Sequence, residues 1–107
     1  MENLKTKIYT LLGFAQKAGK IISGSTSVEI MLGKPECKLV IIAEDAPQSL
    51  NKQIIFKCDN LNQIYIIFGT KDGLGSAIGK SQRTVVIVKD ANIAKAIRNI
   101  VKDSEQL

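Results

Sequence analysis

The sequence predicts an α/β fold, a three-layer α/β/α sandwich built on a central, mixed four-stranded sheet. Two observations carry this expectation. Short β-branched runs such as Lys38–Ala43 and Thr84–Val88 are apolar on both faces, so each needs a covering layer above and below. The stretches between the strand candidates carry apolar residues at helical spacing, which supplies those layers. With 107 residues, of which 45% are apolar, the chain can build one continuous core, and a single domain over residues 1–107 is expected.

The elements follow in order. Leu4, Ile8, Leu11, Leu12 and Ala15 form one apolar stripe, with Lys5, Lys7, Gln16 and Lys17 off it, and Gly19 ends this first helix. Lys20–Ser23 is a short strand candidate. Gly24-Ser25-Thr26-Ser27 brings helix-start chemistry to a short segment that Gly33-Lys34-Pro35 stops. Within it, Thr26-Ser27-Val28-Glu29 fits a capping box, with Thr26 accepting an amide hydrogen bond and Glu29 reaching back. Lys38–Ala43 reads as a central strand. Asp45 turns the chain and helps start the next helix beside Pro47, and Leu50, Ile54, Cys58 and Leu61 give that helix its stripe.

Ile64–Phe68 reads as another buried strand. Thr70 and Asp72 open a short helix that turns Leu74, Ala77 and Ile78 inward and that Gly79 closes. After the strand Thr84–Val88, Asp90 caps a last helix whose stripe is Ile93, Ala94, Ile97, Ile100 and Val101.

Composition narrows the function classes. No apolar run is long enough to span a bilayer, and the first residues mix charges among apolar positions rather than forming a signal peptide. A cytoplasmic protein is expected. Cys37 and Cys58 lack the short paired spacing of a zinc or redox motif and read as buried thiols. Fifteen Lys and Arg against ten Asp and Glu give a net charge of +5, which favours anionic partners. Lys5, Lys7, Lys17 and Lys20 face only Glu2 in the first twenty residues, so the first helix should carry a positive face.

Catalytic motifs are thin. Leu74-Gly75-Ser76-Ala77-Ile78-Gly79-Lys80-Ser81 approaches G-x-x-x-x-G-K-[ST], but its first position is Leu. A phosphate-cradling loop must follow a strand and open a helix, whereas here Gly79-Lys80-Ser81 ends a helix and leads into a strand. There is no His for acid–base work and no obvious metal pair, so neither catalysis nor a cofactor is expected. Glu44-Asp45 stands at the end of a buried strand, where α/β sheets often bind ligands.

Leu12-Gly13-Phe14-Ala15-Gln16-Lys17-Ala18-Gly19-Lys20-Ile21-Ile22-Ser23-Gly24, followed by Leu39-Val40-Ile41-Ile42-Ala43-Glu44-Asp45-Ala46, resembles the L7Ae/L30e ribosomal protein family, in particular its bacterial YlxQ-like branch. The likeness continues through Tyr65–Thr70, Leu74–Lys80 and the final strand, covering nearly the whole chain.

The resemblance implies an α/β/α sandwich that binds kink-turn RNA, with the start of the second helix entering the major groove at tandem sheared G·A pairs. Free amides and a positive dipole at a helix start suit phosphate, and short polar side chains there reach base edges. The implied RNA-binding residues are Lys17, Lys20, Gly24, Ser25, Thr26 and Ser27, with Glu44, Asp45 and the loop Lys80, Ser81, Gln82 and Arg83 nearby.

The sequence departs from the family pattern Gly-x-Asn-Glu-x-x-Lys: Thr26 replaces Asn, Ser27 replaces Glu and Ile30 replaces Lys. A hydroxyl cannot make the bidentate base contact of an Asn, so weaker or altered RNA specificity is expected. The loop Lys80–Arg83 is polar and basic where family members often present an apolar wall.

The expected partner is a structured ribosomal kink-turn RNA bound by a monomer, with the ribosome or translation factors as further partners. The alternatives are a protein-interaction module on the ribosome or a translation factor, which Ile30 favours, and a small-ligand or enzymatic α/β domain using Glu44, Asp45 and the Gly73–Lys80 loop.

Overall fold

A computed structural model describes residues 3–105. The chain runs α1 (Leu4–Lys17), β1 (Ile21–Ser23), α2 (Ser25–Met31), β2 (Leu39–Ile42), α3 (Gln48–Asn60), β3 (Tyr65–Ile67), α4 (Lys71–Ala77), β4 (Val85–Val88) and α5 (Ala91–Glu105). The four strands form one sheet in the order β1-β4-β2-β3. The sheet is mixed, as expected: β2 is antiparallel to β4 and parallel to β3, and β4 is antiparallel to β1. No described helix is long and apolar enough to cross a membrane.

Alternation along the two central strands divides the core into two layers. Leu39, Ile41, Ala43, Val86 and Val88 pack on one face with Ile8 and Leu12 of α1, Leu74 of α4 and Ile97 of α5. Val40, Ile42, Val85 and Ile87 pack on the other with Val28 of α2 and Ile54 and Cys58 of α3. Every residue of β2 and β4 is buried, as the two-sided apolar pattern required. The parallel pairing of β2 with β3 is possible because α3 carries the chain back across the sheet.

Side-chain caps set several helix starts. Thr70 Oγ1 accepts from the Gly73 amide at 2.9 Å, and Asp90 Oδ1 accepts from the Ile93 amide at 2.8 Å, both as the sequence suggested. Asn3 Oδ1 does the same for the Thr6 amide at 2.8 Å. Cys37 and Cys58 are buried and unpaired. Burial pushes both thiols up to about 11, which keeps them protonated and poorly nucleophilic at neutral pH.

Three sequence expectations change. Ile64–Phe68 is not a buried strand: β3 lies at the sheet edge, with Ile64 43% and Ile67 46% exposed. A two-sided apolar run reports covering layers, not whether a further strand lies alongside. The capping box does not form, because the N-cap of α2 is Gly24 and Glu29 pairs instead with Lys57 of α3 at 3.2 Å. Asp45 helps start α4 rather than α3, accepting from the Lys71 amide at 2.8 Å.

These positions give a direct contrast. We expect Leu12→Ala, at a fully buried site, to cost about 2–5 kcal/mol in urea unfolding. Ile67→Thr at the exposed edge should change stability by no more than about 0.5–1 kcal/mol. Equal losses would contradict the edge placement of β3.

Candidate nucleic-acid interface

The sheet pairing gathers the sequence-distant site residues at one end. β1, β2 and β3 finish where β4 begins, since Ser23 lies opposite Val86 and Ile42 lies opposite both Val85 and Ile67. The Ala43 amide donates to the Thr84 carbonyl at 2.8 Å, and the Glu44 amide to the Gly69 carbonyl at 2.8 Å. Gly24, Glu44, Asp45 and the loop leading into β4 therefore share this end of the molecule.

A cleft of about 360 Å³ opens here. Gly24, Ser25, Val28 and Glu29 supply one side, and Gln82, Arg83, Thr84 and Val85 another. Leu50 and Ile54 of α3 add apolar wall. Gly24 has φ +95° and ψ 138°, a backbone state open almost only to glycine, and it turns the chain from β1 into α2. Glycine has no side chain with which to cap, so no side-chain hydrogen bond closes the start of α2.

Arg83 is anchored across this end. Its Nε donates to Ser23 Oγ at 3.1 Å, and its Nη1 donates to Ser81 Oγ at 2.9 Å and to the Gln82 carbonyl at 3.0 Å. These bonds hold the guanidinium against the end of β1 while it lines the cleft. Glu29, the carboxylate on the opposite side, is engaged by Lys57.

The loop before β4 is fixed by contacts with α4. The Arg83 amide donates to the Lys71 carbonyl at 3.1 Å, while the Lys71 amide donates to Asp45 Oδ1. Gln82 Nε2 donates to Asp72 Oδ1 at 2.7 Å. Gly75 lets the loop lie against the helix, since a Cβ there would overlap the Ser81 carbonyl oxygen. Lys80 follows the end of α4 rather than opening a helix, so the near-match to a phosphate-cradling loop lacks the geometry that such a loop needs.

The remaining sequence candidates divide. Thr26, Ser27, Glu44, Lys80 and Ser81 are exposed at the same end, although none lines the cleft itself. Lys20 is not beside Gly24. It lies at the far end of β1, with Lys38 and Lys89, and Lys17 is in the last turn of α1, three residues before it. Proximity in sequence misled here because an intervening strand carries the chain across the sheet. Sequence reasoning also missed Leu50 and Ile54, whose helical spacing marked them only as core.

The family model of the "Ribosomal protein L7Ae/L30e/S12e/Gadd45 family" matches residues 6–98. The chain belongs to this family. Among curated relatives, "RNA-binding protein YlxQ" of Bacillus subtilis (strain 168) is 32% identical over 93 residues, covering 87% of this chain and 93% of the relative. "Large ribosomal subunit protein eL8" of Thermoplasma volcanium is 32% identical over 108 aligned positions, covering 99% of this chain and 89% of the relative.

Among solved structures, a Bacillus halodurans protein described as of unknown function superposes with a TM-score of 0.84 at 30% identity, covering 90% of this chain and 97% of that one. The Giardia lamblia 15.5kD RNA binding protein superposes with a TM-score of 0.78 at 23% identity, covering 99% and 91%, and shares the fold.

Two glycine substitutions separate the devices that shape the cleft. Gly24→Ala meets open space, so we expect only the conformational penalty of about 1–3 kcal/mol, with the Lys80–Thr84 amide NMR signals unshifted. Gly75→Ala should displace those same signals. An unperturbed loop in Gly75→Ala would contradict the close packing on α4.

Proposed function

We propose that this chain is a ribosome-associated RNA-binding protein that docks a kink-turn-like element against the start of α2 and the Lys80–Arg83 loop. The observation that carries the reading is convergence: Gly24 and Ser25 share one cleft with Gln82, Arg83 and Thr84, nearly sixty residues away in sequence. Family membership supports RNA as the ligand, because relatives at 32% identity over most of the chain are named as an RNA-binding protein and a large ribosomal subunit protein. The net charge of +5 suits the same partner. In this reading the protein works as a cytoplasmic monomer and without catalysis.

The chemistry assigns different roles to the two sides. On α2, uncapped first-turn amides and the exposed hydroxyls of Ser25, Thr26 and Ser27 meet phosphate or base edges. Across the cleft, Nε and Nη1 of Arg83 are taken up by Ser23, Ser81 and Gln82, which fixes the guanidinium and leaves its charge and Nη2 to meet a phosphate. Thr26 and Ser27 hold single hydroxyls where the family carries Asn and Glu, so discrimination among base pairs is reduced relative to phosphate binding.

A second reading has one observation in its favour. Ile30 is 60% exposed at a position where RNA-binding members carry Lys, and an exposed isoleucine suits a protein contact better than a phosphate. Recovery of a partner after nuclease treatment distinguishes that reading from RNA-dependent association.

We expect a gel-shift titration to give tighter binding to a kink-turn RNA than to an unkinked duplex of equal length. Arg83→Ala should weaken kink-turn binding by about 1–3 kcal/mol, and Ser27→Glu with Ile30→Lys should strengthen it. Equal affinity of the wild type for the two RNAs would remove kink-turn recognition.

A further inference from the structure

Lys20, Lys38 and Lys89 form a row at the end of the sheet opposite the cleft. Lys20 directly precedes β1, Lys89 directly follows β4 and Lys38 directly precedes β2. The pairing of Val88 with Ile21 on one side and Leu39 on the other carries the register to these lysines. The Lys89 amide donates to the Lys20 carbonyl at 2.8 Å, and the Lys38 amide to the Val88 carbonyl at 3.0 Å. Three lysines thus stand side by side on neighbouring strands, each strand about 4.8 Å from the next.

Like charges opposite one another on paired strands are destabilising. They are only partly opposed here. Of the residues that line a shallow concavity with these three lysines, Glu36 is the one carboxylate. Asp90, next to Lys89, caps α5 through the Ile93 amide and keeps its charge, so two carboxylates stand near three lysines. Lys38 also borders a second groove, with Lys95 and Arg98 of α5, which extends the cationic surface along that helix. None of these five cations makes a salt bridge among the described residues.

From Arg83 to Lys89 the chain follows β4, a path of roughly 20 Å at strand geometry. An RNA helix that leaves the cleft along the sheet would reach the lysine row within one helical turn.

We propose that Lys20, Lys38 and Lys89, continued by Lys95 and Arg98, form a second RNA-binding surface that grips the phosphate backbone of a helix extending beyond the cleft. The proposal rests on the RNA reading above. It gives Lys20 an RNA contact, at a surface separate from Gly24. Contacts here are to phosphate, so they add affinity and salt dependence without reading bases.

The test compares two RNAs and the triple variant Lys20→Gln, Lys38→Gln, Lys89→Gln. One RNA is a kink-turn with both stems trimmed to the minimum that holds the kink; the other has each stem lengthened by a full helical turn. The variant should bind the long RNA roughly tenfold or more weakly at moderate salt, with the log-log salt slope reduced by about two to three. Binding of the short RNA should be unchanged, and the melting temperature should stay equal or rise as the lysine repulsion is relieved.

Unchanged affinity and slope for the long RNA in a folded variant would overturn the second surface alone. Equal weakening on both RNAs would also overturn it, since the lysines would then act at the cleft. If the wild type binds neither RNA, the RNA reading itself fails and this surface falls with it.

Discussion

The pairing of β2 with β4 is the constraint on which the rest of the molecule depends. Both strands are buried along their whole length, so a slip of one residue would turn every side chain to the opposite layer. With the register held, Ile42 faces Val85 and Leu39 faces Val88. The first pairing places the loop after β2 beside the start of β4, where the β1–β4 and β2–β3 registers bring the loops after β1 and β3. The second brings Lys38 and Lys89 together at the other end.

Strand pairing alone does not shape the cleft. Gly24 supplies a backbone angle that other residues avoid, and Gly75 lets the following loop rest on α4. Asp45, Lys71 and Arg83 are linked through one residue: the Lys71 amide donates to Asp45, and its carbonyl accepts from the Arg83 amide. The carboxylate pair that marked a ligand site in the sequence thus has one member occupied in holding the scaffold, while Glu44 stays exposed.

Local signals in the sequence were reliable where the physics is local. Buried β-branched runs located β2 and β4, and Thr70 and Asp90 marked helix starts because a cap acts over three residues. Lateral relations were not legible in the same way. Nothing in Ile64–Phe68 says that β3 is an edge strand, and nothing around Lys20 says that β1 carries it away from Gly24. Thr26 and Glu29 satisfied a capping pattern, yet Gly24 became the cap and Lys57, from a different helix, took Glu29. The family motif located the start of α2, whereas the anchoring of Arg83 by Ser23 required the fold.

The registers of β4 against β1 and β2 assemble the proposed RNA-docking site from the start of α2 and the loop before β4. Amide NMR titration with a minimal kink-turn RNA, its stems trimmed short, tests this most directly. The largest shifts are expected at residues 24–29 and 80–84, with the exposed edge of β3 unperturbed. Shifts centred on β3 and the end of α3, with the cleft residues unmoved, would contradict it.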